Sequence, residues 1–242
     1  MARASVMEPR FQHRVWLVVI PAMILPFAAS LFYFVLFTEH LFARWVYALT
    51  KVFTVVWPVI SVVLILRTGF PKLDPRADIH RRALAAGVAT GTAIVGLMFV
   101  LMLTPVGEVV MAGAPKIRNK THSLGILSHY WAFGLFLSLV HSLIEEFYWR
   151  WFVFGHLRLL VRATPAHLLA GAAFAAHHVV VATQYFPFAW GLGFGCLCGV
   201  GGIIWSVMYE KQRSLAGAWV SHILVDLGIL SIGHRLLFGS YF

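Results

Sequence analysis

Seven long apolar segments follow one another along the chain, near residues 15–37, 42–66, 83–105, 127–153, 165–183, 187–209 and 214–234. Each has close to the roughly 20 residues that an α-helix needs to cross the hydrocarbon layer of a membrane. Transmembrane β-strands would instead show segments of about ten residues with alternating polarity. The pattern therefore predicts an all-α, polytopic transmembrane helical bundle with about seven spans.

Proline marks two of the joints between these segments. Residues 70–75 contain two prolines and are predicted to form a turn between the second and third spans. Thr164 and Pro165 are predicted to be the N-cap and the first residue of the fifth helix. The first segment is too long for the apolar part of a signal peptide and lacks a clear cleavage site, so an uncleaved anchor is expected.

The sixth segment carries Gly191, Gly195 and Gly199 at a spacing of four residues. Small residues at this spacing allow the backbone of a neighbouring helix to come close, so tight packing is the favoured interpretation. A flexible wall that admits a substrate is the alternative. Cys196 and Cys198 lie in the same segment without the spacing of a zinc or redox motif, and core packing is expected for them.

The composition strengthens the membrane interpretation, since 60% of the residues are hydrophobic and only 12% are charged. A typical soluble protein has about 25% charged residues. The net charge of +10 could suggest a nucleic-acid partner. However, the basic residues lie between apolar segments and do not form one basic face, so no nucleic acid is expected. The lipid bilayer is the expected surrounding.

The basic residues also predict an orientation. With the N-terminus in the cytoplasm, twelve of them fall on the cytoplasmic side and five on the other, as the positive-inside rule requires. The cytoplasmic set is Arg3, Arg10, Arg14, Arg67, Lys72, Arg76, Arg81, Arg82, Arg158, Arg162, Lys211 and Arg213, and the opposite set is Arg44, Lys116, Arg118, Lys120 and Arg235. Residues 107–123 place three cations on the outer side, where a short interfacial segment is expected. A bacterial inner membrane is the expected location.

Three of the nine acidic residues lie inside apolar segments: Glu145, Glu146 and Asp226. An acid at membrane depth costs about 2.5–3.5 kcal/mol on insertion scales and is usually retained for a function, with a partner nearby. An ion pair that only locks two helices is the structural alternative. Three acids in the second half of the chain favour a buried functional site.

Helical spacing sorts the residues around these acids. Glu146 and Arg150 are four residues apart, so they share a face and are expected to pair. Glu145 lies about 100° round the same helix, on the face of His141, and is free to point into a cavity. One glutamate is then neutralised within its own helix while the other is available for chemistry.

Two further segments bring histidines. His222 and Asp226 share a helix face, where the acid is expected to fix the orientation and tautomer of the imidazole. His177 and His178 are adjacent and point about 100° apart, so only one of them is expected to enter the cluster.

These residues resemble three motifs of the CPBP family, which includes the CAAX prenyl endopeptidases and many bacterial membrane proteins. Residues 145–150 (EEFYWR) are similar to its EExxxR motif, residues 174–178 (FAAHH) to its FxxxH motif and residues 222–226 (HILVD) to its HxxxN/D motif. The three occur in the family's order inside predicted spans. The resemblance covers roughly residues 125–235 and predicts a catalytic helical core at 125–242, preceded by an N-terminal transmembrane region at 1–124.

The resemblance implies an intramembrane protease, a peptide hydrolase that acts on a membrane-associated protein or peptide. It assigns activation of the attacking water to Glu145 and His178 and stabilisation of the oxyanion to His222 and residue 226. Residue 226 is Asp here, whereas Asn is commoner, and an ionised carboxylate cannot donate to an oxyanion. Asp226 is therefore expected to orient His222. The supporting residues are Glu146, Arg150 and Phe174.

No cofactor is expected, and zinc is the alternative, with Glu145, His178 and His222 as ligands. The sequence contains no HExxH motif, and pairing with Arg150 would remove Glu146 as a ligand.

A second class of function is also open: a non-catalytic chaperone-like or immunity-type membrane module, or a transporter. The chain shows no internal symmetry of the kind that many transporters have. Within the protease class, processing of a sorting signal or a secreted peptide is favoured over prenyl processing.

Overall fold

The structure is a computed structural model that describes residues 8–37, 40–70 and 77–239. Within these ranges lie eleven α-helices: α1 Pro9–Leu31, α2 Leu41–Ile60, α3 Ala77–Leu101, α4 Pro105–Ala112, α5 Ala114–Ser123, α6 Tyr130–Phe136, α7 Ser142–Glu146, α8 Gly155–Leu160, α9 Ala163–Tyr185, α10 Phe188–Gln212 and α11 Leu215–Phe238. The same ranges contain a 3₁₀ turn, Leu127–His129, and π-helical segments Phe32–Leu36, Ser61–Ile65, Leu137–His141 and Phe147–Phe154. Residues 71–75 of the predicted turn, together with Arg3, Lys72 and Arg76, lie outside the described residues.

In the described part of the chain, seven helical stretches are long and apolar enough to cross a membrane. They are Pro9–Leu36, Trp45–Ile65, Ile79–Leu101, Leu127–Leu160, Ala163–Tyr185, Phe188–Gln212 and Leu215–Phe238. The predicted all-α bundle with about seven spans is therefore confirmed. The fourth span is longer than expected because helical structure continues to Leu160. The N-cap predicted at Thr164 is wrong, since α9 begins at Ala163 and Arg162 occupies the N-cap position.

The core joins the first span to the second half of the chain. Val15, Val18 and Ala22 of α1 are fully buried in one cluster with aromatic residues of the fourth span, Tyr148 among them. The Tyr148 hydroxyl donates a hydrogen bond of 2.7 Å to the carbonyl oxygen of Ala22. This bond satisfies a carbonyl in α1 while the ring fills the space between the helices.

Two close helix pairs complete the bundle, α9 with α10 and α3 with α11. In the first pair the glycines of α10 allow the approach: a Cβ on Gly195 would lie 2.6 Å from the Cα of Val179. In the second pair, a Cβ on Gly87 would lie 3.0 Å from the Cα of Gly217. The close packing predicted from glycine spacing is thus present in α10, and α3 and α11 meet in a similar way.

The 107–123 stretch is helical, since it contains most of α4 and all of α5. The hydroxyl of Thr104 accepts a 3.3 Å hydrogen bond from the N–H of Val106 and caps α4. Arg118 of α5 donates a 3.3 Å hydrogen bond to the carbonyl oxygen of Leu236, near the end of α11. Helix C-termini carry partial negative charge, so this position favours the Arg118 guanidinium.

Candidate active site

The fourth span carries two adjacent glutamates with different surroundings. Glu146 is fully buried, and its Oε2 lies 3.1 Å from the Nε of Arg150, which is 1% exposed. The pairing predicted from their spacing is therefore present. Both glutamates end the short helix α7, which is flanked by π-helical segments on both sides. Wider π turns inside α-helices are frequent at functional sites.

The Arg150 guanidinium contacts two aromatic rings. Its Cζ is 4.6 Å from the ring centre of Phe174 in α9 and 4.9 Å from that of Trp205 in α10. Among the described residues its terminal nitrogens have no hydrogen-bond acceptor. The rings and Glu146 together balance the buried charge. Phe174, predicted to pack beneath the site, thus packs on the cation that supports it.

His222 is held by a hydrogen bond and by a stacked aromatic ring. Its Nδ1 donates a 2.8 Å hydrogen bond to Oε1 of Glu146, because a carboxylate can only accept. Its ring stacks on Trp205, with centroids 4.1 Å apart and an interplanar angle of 18°. Trp205 is fixed in turn by a 3.0 Å hydrogen bond from Nε1 to the hydroxyl of Ser221.

The orienting role predicted for Asp226 falls to Glu146 in the structure. Asp226 Oδ1 lies 3.6 Å from His222 Nε2, beyond hydrogen-bond distance and on the edge opposite Nδ1. Glu146 is nearer because α11 packs against α7, a tertiary contact that spacing within one helix does not reveal. Asp226 is also 22% exposed, the most accessible of these acids.

Glu145 lies among three imidazoles without a direct hydrogen bond to any of them. Its carboxylate oxygens are 3.8 Å from His141 Nε2, 4.0 Å from His177 Nε2 and 3.8 Å from His222 Nε2. The side chain is 12% exposed. Of the two adjacent glutamates, Glu145 is therefore the one whose oxygens remain available.

Both histidines of α9 line the site, so the expectation that only one would enter is wrong. His177 makes the nearer approach to Glu145, and its ring stacks on Trp149 at 5.6 Å and 6°. His178 interacts with Glu145 at longer range, and its ring centre is 4.0 Å from that of His177. His178 Nδ1 donates a 2.8 Å hydrogen bond to the Phe174 carbonyl oxygen, which leaves Nε2 as an acceptor in the neutral ring.

Residues 127–228 match the family model described as Type II CAAX prenyl endopeptidase Rce1-like. Residues 127–228 are called the Rce1-like segment below, after the family that they resemble. The match confirms the resemblance to the CAAX prenyl endopeptidases and, with the seven apolar helices, supports an integral membrane protein. It also supports an intramembrane CAAX-type protease in general terms. The curated proteins and the solved structures gave no match.

Every predicted site residue lies within the Rce1-like segment, but one further contact comes from outside it. Lys51 of α2 donates a 3.0 Å hydrogen bond from Nζ to Nε2 of His141. Lys51 was not predicted as a site residue, although a lysine inside the second apolar segment is a signal of the same kind as the buried acids. Trp205 and Trp149 were also missed, because an aromatic residue in an apolar helix gives no comparable signal.

A cavity of about 950 Å³ lies at the start of α11, and its lining does not include Glu145, His178 or His222. Its lining includes Phe147, which follows Glu146, and Trp219, which lies one turn before His222. Trp219 Nε1 donates a 3.1 Å hydrogen bond to the Leu139 carbonyl oxygen and so bridges α11 to the fourth span. Six of its fourteen lining residues are phenylalanine, tyrosine or tryptophan, and Arg158, Glu210 and Arg213 also lie on its walls.

The alternative zinc site would use Glu145, His178 and His222 as ligands. Zinc binds nitrogen and oxygen at about 2.0–2.2 Å, so its ligands must converge on one point. Within the described ranges, no group of three or more His, Cys, Asp or Glu side chains is arranged to hold a metal ion. Glu145, His178 and His222 therefore do not fit a zinc site in this arrangement.

Proposed function

We propose that the protein is an intramembrane endopeptidase in which Glu145 activates the attacking water. One observation carries the proposal: two adjacent glutamates of the fourth span have different partners. Glu146 is occupied by Arg150 and His222, whereas Glu145 faces histidines across gaps longer than a hydrogen bond. Carboxylates in unlike surroundings commonly take unlike roles in acid–base catalysis.

The reaction follows from these positions. Glu145 takes a proton from water as the oxygen attacks the scissile carbonyl carbon, and it returns the proton to the leaving nitrogen when the C–N bond breaks. His178, whose Nδ1 is fixed by a carbonyl, offers Nε2 to hold the water. His177 lies beside both residues and is a second candidate for that task.

His222 is assigned to the oxyanion of the tetrahedral intermediate. Its Nδ1 proton is already donated to Glu146, so a second donor at Nε2 exists only in the imidazolium form. The carboxylates of Glu145, Glu146 and Asp226 surround this ring and balance such a charge. Asp226 then acts through His222 and does not touch the oxyanion.

The substrate is proposed to be a membrane-associated protein or peptide cut near its C-terminal or membrane-embedded part. Processing of a sorting signal or a secreted peptide is preferred over prenyl processing. The proposed setting is a bacterial inner membrane. The N-terminus is proposed to lie in the cytoplasm, because the cations are in excess on that side. Residues 125–242 are proposed as the catalytic core and residues 1–124 as its N-terminal region.

The test compares membrane proteomes of cells that carry the wild type, Glu145→Gln or His178→Ala. Loss of a general base typically costs 10²–10⁴-fold in rate, so both variants should leave a membrane-protein tail uncut while accumulating normally. Glu108→Gln removes an exposed acid of α4 and is the matched control, expected to behave as wild type.

Full biological activity in both site variants would overturn the protease proposal in favour of a non-catalytic module. The proposed mechanism uses no metal, so purified protein should retain its rate after exhaustive chelation. Loss of cleavage on chelation, with recovery on adding zinc, would overturn the metal-free mechanism.

A further inference from the structure

In the described part of the chain, no acidic residue is the hydrogen-bond partner of Lys51, a cation placed inside a membrane span. It lies in α2 within the stretch Trp45–Ile65, and its side chain is exposed. Charged residues at such positions are rare and usually mark a functional site with a named partner. Apolar neighbours on α2 such as Phe53 and Trp57 pack against the core, so packing alone does not require a lysine here.

The partner of Lys51 is His141, on the same face of the fourth span as Glu145. An ammonium can only donate, so the 3.0 Å contact makes His141 Nε2 the acceptor and places the imidazole proton on Nδ1. The same Nε2 lies 3.8 Å from Glu145 Oε1. Lys51 therefore fixes both the tautomer and the position of an imidazole that borders the candidate general base.

The ammonium is itself held in place by an aromatic ring. Its Nζ lies 5.3 Å from the ring centre of Tyr47, one turn earlier on α2. Tyr47 stacks on Tyr33, with centroids 4.9 Å apart. The first two spans thus form a support that presents one positive charge beside Glu145, the glutamate that Arg150 does not pair with directly.

We propose that Lys51 is a positioning residue for the Glu145 site that acts through His141. The inference rests on the proposed protease function, and it makes the N-terminal region a contributor to the site. It also assigns a role to a residue outside the Rce1-like segment, which begins at residue 127.

The test is a double-mutant cycle between Lys51 and His141 in the full chain. The readout is the cleavage rate of the tail that accumulates uncut in Glu145→Gln cells, presented as a synthetic peptide to enzyme in liposomes. Lys51→Met and His141→Phe should each lower kcat by about 10–100-fold with little change in KM, as expected when a catalytic group is misplaced. The double variant should be no slower than the slower single variant. Lys51→Arg should recover part of the rate, and Lys211→Met, at an exposed position, should have no effect.

A second readout does not depend on cleavage. Nitrogen-15 spectra of His141 in the reconstituted protein should show the Nδ1–H tautomer in wild type and a changed tautomer or a mixture in Lys51→Met. An unchanged His141 spectrum, or multiplicative losses of rate in the double variant, would overturn the proposal. If Glu145→Gln left all tails cut, the protease proposal would fail, and the spectra would still decide whether Lys51 controls His141.

Discussion

At the scale of single residues, the site is organised around one glutamate that is fully engaged. Glu146 accepts a hydrogen bond from His222 and pairs with Arg150. Trp205 lies against both of those partners, stacking on the imidazole and facing the guanidinium. The arrangement ties α7, α10 and α11 together and leaves Glu145 as the acid whose oxygens are open.

The buried pair predicts an asymmetric response to substitution. Arg150→Met should strongly destabilise the protein, by about 3–5 kcal/mol, because the Glu146 charge would stay buried without its cation. Adding Glu146→Gln should recover much of that loss, since the amide oxygen still accepts from His222. Thermal unfolding of the purified variants in one detergent measures the difference.

Arg158 provides the matched control for this prediction. It pairs with Glu210 at 2.5 Å, but both side chains are 34% exposed. Exposed pairs contribute about 0–1 kcal/mol, so Arg158→Met should shift the unfolding temperature much less. Equal shifts for Arg150→Met and Arg158→Met would contradict the special role of the buried pair.

Helical spacing foretold some of these contacts and not others. The i, i+4 relation was enough to predict the pair between Glu146 and Arg150, because both residues lie on one helix. Spacing also predicted that Asp226, on the same helix, would orient His222, and this was wrong. The hydrogen bond of His222 goes to Glu146, on a different helix. His177 approaches Glu145, and Lys51 bonds to His141, from other helices, and both contacts depend on packing that sequence spacing does not contain.

At the scale of helices, the glycines of α10 decide how closely α9 can approach. Gly199 lies against Ala175, where an added Cβ would come 2.8 Å from the alanine side chain. The same two helices carry Phe174 of α9 and Trp205 of α10, whose ring centres lie 4.6 Å and 4.9 Å from the Arg150 guanidinium. The glycine spacing predicted a close neighbour, but it could not identify α9 as that neighbour.

Gly195 and Gly193 offer a matched pair of substitutions on α10. A Cβ at Gly195 would meet the backbone of Val179 at 2.6 Å, whereas a Cβ at Gly193 would meet nothing within 4 Å. Gly195→Ala should therefore separate the helices and lower the unfolding temperature. Gly193→Ala should leave it unchanged or raise it slightly, since alanine is worth about 0.5–1 kcal/mol more than glycine inside a helix.

The same two variants test whether α10 is a rigid support or a flexible wall. If close packing is its role, Gly195→Ala should also lower cleavage, because Trp205 would shift away from His222. A Gly195→Ala protein with unchanged unfolding temperature and unchanged cleavage would contradict the packing interpretation.

At the scale of the whole molecule, the N-terminal region and the Rce1-like segment share one core. Fully buried Val15 and Val18 of α1 lie in the same cluster as Phe152 of the fourth span and Ala166 of α9. On the other side of the bundle, α3 packs along α11. The family resemblance described only the second half of the chain, so it could not predict how the first three spans would support the site.

This shared core predicts that residues 125–242 will not sustain a working site alone. Expressed without residues 1–124, the fragment would expose to lipid the surfaces that α1 and α3 cover, and the Tyr148 hydroxyl would lose its acceptor, the Ala22 carbonyl oxygen. It should accumulate poorly and leave tails uncut, and co-expression of residues 1–124 as a separate chain should restore both properties. A Lys51→Met version of that separate chain should restore accumulation but not the cleavage rate, since α2 would still pack while His141 lost its partner. Accumulation and cleavage at wild-type levels by residues 125–242 alone would show that the N-terminal region supplies neither core nor site.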